Sequence, residues 1–158
     1  MKRLLCICLT TMLAIAMAYG QGISKKELIE AITGSDVGET MKTVEQQMAA
    51  NGIQLKCEMF FDNKMNSIVV KFRFFDKQIY DQLDVEDGAR GGIEGSLREM
   101  YKACESDISY FEEIVRAFKR YNINWRYSIC YIDLSGQVFS KERTVTPEEI
   151  QRIASLLY

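Results

Sequence analysis

Ile53-Gln54-Leu55-Lys56-Cys57-Glu58-Met59-Phe60-Phe61 and Ile68-Val69-Val70-Lys71-Phe72-Arg73-Phe74-Phe75 decide how this chain folds. In the first stretch Ile53, Leu55, Cys57, Met59 and Phe61 alternate with Gln54, Lys56 and Glu58. In the second, Ile68, Val70, Phe72 and Phe74 alternate with Lys71 and Arg73. A period of two is the strand repeat, because successive side chains leave opposite faces of an extended backbone. Asp62, Asn63 and Asn66 supply a polar turn between the two. Setting Phe61 opposite Ile68 puts both apolar sets on one face and places Glu58 across from Lys71, so burial and charge select the same register. The pair reads as a β-hairpin with one dry and one wet side.

Outward from this hairpin the period changes to that of helices. Ser24 and Glu27 form a capping box ahead of Leu28, Ile29 and Ile32, and Gly34 ends the run. Ser35 or Asp36 starts a second helix with Val37, Met41, Val44 and Met48 on one face, closed by Asn51 and Gly52 in the manner of a left-handed cap. After the hairpin, Ile79 and Leu83 suggest a short helical segment, and Ile93, Leu97, Met100, Tyr101 and Cys104 a longer one. Gly88, Gly91, Gly92 and Gly95 lie across the start of the latter. Their backbone entropy predicts a connector there, or a helix that another backbone approaches closely. Ser109 and Glu112 form a further capping box before Phe111, Val115 and Phe118, and this amphipathic helix ends at Asn122.

Ile123, Trp125, Tyr127, Ile129 and Tyr131 restore the strand period, and Asp133 to Gly136 make a tight turn. Val138 to Val145 returns as a more polar strand, suited to a sheet edge. Thr146, Pro147 and Glu149 mark a helix start whose apolar stripe is Ile150, Ile153, Ala154 and Leu157. The expected fold is a single-domain α+β structure over residues 21–158. Its four-stranded antiparallel sheet consists of two β-hairpins, with the helices packed mainly on one face. Residues 37–83 and 107–157 also run in the same element order, offset by seventy, which suggests an αββα internal duplication.

The wet side of such a sheet would carry Lys56, Glu58 and Phe60, then Lys71, Arg73 and Phe75, then Arg126. This mixture of charge and exposed apolar groups is the candidate interaction face.

Residues 1–20 read as a secretory signal peptide. Lys2 and Arg3 precede an apolar run from Leu4 to Met17, and Ala18 and Gly20 place small residues before Gln21. The run is shorter than the roughly 20 residues of a spanning helix. The expected address is therefore periplasmic or extracellular, with no transmembrane span after leader removal.

The 20 Lys and Arg of the chain fall to 18 once the leader leaves, against 22 Asp and Glu, a net charge of −4. A mildly acidic surface of mixed sign argues against nucleic acid as partner. With 0 histidines, imidazole triads and imidazole metal sites are excluded. Cys57, Cys104 and Cys130 are an odd number without a close pair and are expected to be buried. The glycine cluster follows a helical pattern rather than a strand and lacks the Lys-Ser/Thr of a phosphate loop. Asp84, Glu86 and Asp87 miss the calcium-loop pattern and read as a solvated acidic turn. Tyr110, Tyr121, Tyr127, Tyr131 and Trp125 fall mostly at core-facing phases and read as packing. No cofactor, metal or catalytic residue is expected. The sequence predicts an exported, non-catalytic binding or interaction domain for another protein or a small ligand. A small secreted carboxylate-dependent hydrolase and a subunit of a cell-envelope assembly are the alternatives.

Overall fold

A computed structural model describes residues 22–104 and 107–157; the leader lies outside the described residues. Helices α1 (Lys25–Thr33) and α2 (Ser35–Ala50) precede the hairpin of β1 (Leu55–Asp62) and β2 (Ser67–Phe74). Then come α3 (Lys77–Gln82), α4 (Val85–Ala103) and α5 (Ile108–Arg120), followed by β3 (Asn124–Ile132), β4 (Val138–Val145) and α6 (Pro147–Ala154). The capping boxes at Ser24 and Thr146 are both formed. The one expected at Ser109 is not. α5 begins earlier, with Asp107 as N-cap and no side-chain cap bond, and the Ser109 hydroxyl donates to the Asp107 carboxylate instead.

The β1–β2 register pairs Phe61 with Ile68 and Glu58 with Lys71, as alternation and charge require. β3 and β4 form the second antiparallel hairpin, and the strand order is β1-β2-β3-β4. The sheet is nevertheless mixed rather than antiparallel throughout, because β2 and β3 run parallel, with Ser67 beside Asn124. Parallel neighbours require a crossover. Here α3, α4 and α5 supply it and return the chain to the end where β2 began. Asn66 holds that return: its Nδ2 donates to the Tyr121 and Asn122 carbonyls at 2.9 and 2.7 Å, and its own carbonyl accepts the Asn124 N–H at 3.1 Å.

One buried cluster joins Leu55, Cys57, Ile68, Val70, Phe72, Phe74, Trp125, Tyr127, Ile129 and Val145 to residues from all six described helices. Val69 and Cys130 are buried but stand outside that cluster, on the other side of the sheet. The helices therefore form a layer against one face. On β4 the two middle inward positions, between Phe139 and Val145, are charged and reach helix ends. Lys141 Nζ donates to the Tyr80 and Leu83 carbonyls at 3.1 and 2.9 Å, and Arg143 pairs with Glu86 and Glu149 at 2.7 Å each. Inward-pointing charge on an edge strand opposes pairing with a further strand.

The glycine cluster is helical throughout, as part of α4. At Gly88 and Gly92 close approach is the reason, though it comes from a ring and not from a backbone. A Cβ at Gly88 would lie 3.1 Å from Cε1 of Tyr127, and one at Gly92 would lie 3.6 Å from Cε2 of the same ring. The acidic residues beside it are taken up locally: Asp84 caps α4 through the Glu86 N–H, Glu86 holds Arg143, and Asp87 pairs with Arg90.

The seventy-residue echo extends into the backbone. Gly52 and Asn122 both adopt positive φ, as do Asn66 and Gly136. Asp76 and Thr146 both cap helices. Strand pairing breaks the correspondence. The first turn spans four residues between Asp62 and Ser67, the second five between Ile132 and Val138, so Ile68 faces the helices while Val138 faces away. Moreover, a rotation that turns β1 onto β3 with the same side inward carries β2 to the wrong flank. The local order repeats; the sheet does not contain two superposable αββα units.

Candidate functional site

The register fixes which side chains share the face turned away from the helices. Across the four strands it forms three rows: Phe60, Val69, Arg126 and Thr144; Glu58, Lys71, Ser128 and Glu142; Lys56, Arg73, Cys130 and Ser140. Phe75 continues the face beyond β2, with its ring beside the Arg73 guanidinium. Lys56, Glu58, Phe60, Lys71, Arg73, Phe75 and Arg126 are thus brought onto a single face. The sequence reading omitted the β4 residues and Asp62. The signal for Glu142 was only its even position in Val138–Val145, which acquires a side once the turn length is known.

The centre of the face is dry and its margins are open. Val69, Ser128 and Cys130 are buried, whereas Phe60 is 42% and Phe75 49% exposed. Arg126 is held between Asp62 at 3.4 Å and Glu142 at 2.8 Å, and Ser128 Oγ donates to Glu142 at 3.3 Å. Lys56 pairs with Glu45 of α2 at 2.8 Å. Among the described residues, Lys71 and Arg73 enter no ion pair; the Arg73 guanidinium lies 5.4 Å from the Phe75 ring. Charge is sorted by strand. The outward positions of central strands β2 and β3 carry Lys71, Arg73 and Arg126 and no carboxylate, while Glu58, Asp62 and Glu142 stand on the edge strands.

Burial disfavours the thiolate at Cys104 and Cys130. Burial pushes the Cys130 thiol above its usual range against the pull of Lys71 and Arg73, and burial followed by Asp107 does the same to Cys104. A neutral thiol is a poor nucleophile. Among the described residues no group of three or more Cys, Asp and Glu could hold a metal ion.

Glu45 links this face to the sheet edge. One oxygen accepts Lys56 Nζ and the other accepts the Cys57 N–H at 2.9 Å, covering a donor of edge strand β1. Burial works to raise this carboxyl, but the Lys56 and Cys57 bonds outweigh it and hold it below the usual range. A lowered folded value contributes stability above the ordinary carboxylate range and loses it as pH falls through the folded value. Between about pH 6 and about pH 3, therefore, the urea midpoint of the wild type should fall further than that of Glu45→Gln. Parallel declines would remove this role from Glu45.

No protein-family model matches the chain, and neither the curated proteins nor the solved structures yield a match. The functional reading rests on the residues and their geometry.

Proposed function

We propose that this chain is an exported, non-catalytic binding domain that docks another protein on the face of its sheet opposite the helices. The observation that carries this reading is the face that the described residues leave open, where half-exposed Phe60 and Phe75 flank Lys71 and Arg73, which enter no ion pair among those residues. Exposed aromatics beside Arg are the residue types that anchor protein contacts. One cavity among the described residues, between α2, α4 and the sheet and lined by Met41, Met59, Phe72, Ser96, Trp125 and Tyr127, measures about 20 Å³ and does not itself serve a small ligand. That is room for one water, against several hundred Å³ for an ordinary ligand site. Export rests on the charged start, apolar run and small residues of positions 1–20.

The test places a photo-crosslinking residue at Phe75, and in a second protein at Arg116 on the helix layer, in cells that express the full chain. A protein adduct at position 75 and none at 116 is the expected result; equal adducts, or none at 75, would overturn the docking reading. Amino-terminal sequencing should begin at Gln21, and purified material retaining residues 1–20 would remove the assigned address. Robust turnover in a broad hydrolase screen would end the non-catalytic reading.

A further inference from the structure

We infer that the occupant of this face is an extended acidic segment of another protein, its carboxylates over Lys71 and Arg73 and its apolar side chains against Phe60 and Phe75. The inference rests on the docking reading above and adds the chemistry of the partner.

Charge sorting is the first argument. Every outward charge on the two central strands is positive; Asp62 and Glu142 engage Arg126, and Glu58 stands across from Lys71 without closing an ion pair, so among the described residues Lys71 and Arg73 are the two cations of these strands outside any ion pair. Both lie on β2 at alternate positions, so they point the same way about 7 Å apart along the strand. An extended chain repeats its side chains at that same interval. Acidic residues two apart on a bound segment therefore match the spacing of the two cations. Phe75, the next outward position, and Phe60, diagonally across on β1, offer apolar contact at the two ends.

Size is the second. Four strands about 4.8 Å apart, read over eight residues, give an outline of roughly 19 by 26 Å, which one extended segment of about eight residues spans. A second copy fits worse, since apposing two such faces would bring their central cations together.

The experiment measures the adduct formed at position 75 in the full chain. The double variant Lys71→Glu/Arg73→Glu should lower the yield at least tenfold, and raising salt should lower it in the wild type, because exposed charges are screened. Glu58→Lys, which removes the nearest outward carboxylate, should keep or raise the yield. If the double variant fails to fold, Arg73→Gln replaces it with a smaller loss in the same direction. Mass spectrometry of the adduct should find at least two Asp or Glu within the crosslinked segment. An adduct insensitive to these charge changes, one on a neutral or basic segment, or one on a second copy of this chain overturns the acidic segment. Of these, the first two leave docking to another protein standing. Absence of any adduct at position 75 removes the docking reading itself.

Discussion

Replacing Phe118 by alanine should cost about 3–5 kcal/mol of folding stability, the range for emptying a buried aromatic site. Phe118 has 0% of its surface exposed, and its ring centroid lies 6.1 Å from that of Trp125 on β3. It therefore ties α5 to a central strand, and its carbonyl accepts the Ile123 N–H at 2.9 Å to end the helix. Truncation removes the ring from both the helix layer and the sheet, which cannot close on the space without moving one against the other. For a domain whose total stability is of order 5–15 kcal/mol, that is a large share. Urea unfolding should show a lower midpoint at unchanged slope. Phe60→Ala is the matching control: its ring is 42% exposed on the opposite face, and the change should stay within about 0.5 kcal/mol. Comparable losses for the two variants would mean that the dry and wet sides are wrongly assigned.

The second large effect concerns α4. Gly88→Leu should destabilise by about 2 kcal/mol, although leucine favours helix over glycine by nearly 1 kcal/mol. The added Cβ would stand 3.1 Å from Cε1 and 3.3 Å from the hydroxyl of Tyr127, a buried ring that also packs 5.3 Å from Phe72. Yielding to it would disturb the sheet. Gly91, one turn on, has nothing within 4 Å of an added Cβ. Gly91→Ala should therefore stabilise by about 0.5–1 kcal/mol, through the backbone entropy that glycine alone carries. Opposite signs at two glycines of one helix are the diagnostic. Matching signs would show that α4 does not ride on Tyr127.

Much of this structure is local and was legible as such. Alternation in residues 53–61 and 68–75 determined both strands, and the coincidence of Phe61 with Ile68 and of Glu58 with Lys71 determined their register. Ser24 with Glu27, and Thr146 with Pro147 and Glu149, determined two helix starts, because a cap is satisfied within four residues. The outward set from Lys56 to Arg126 followed from the same period of two. Ser109 with Glu112 misled for the complementary reason: a capping box can be written where the helix has already begun, and Asp107 took the cap position.

Only the tertiary structure decided the direction of β3 beside β2, the side on which Glu142 stands, and the use of the α4 glycines. A hairpin's alternation is unchanged by turning it end for end, so nothing in Ile123–Tyr131 states whether it runs with β2 or against it. That choice belongs to three packed helices and to Asn66, whose bonds reach Tyr121 and Asn122 across more than fifty residues. Glycine likewise carries no side chain by which its neighbour could be read, and the ring of Tyr127 that fills the space is supplied from another element. Periodicity and caps are written within a few residues of one another; relative placement is written in contacts between residues far apart in the chain.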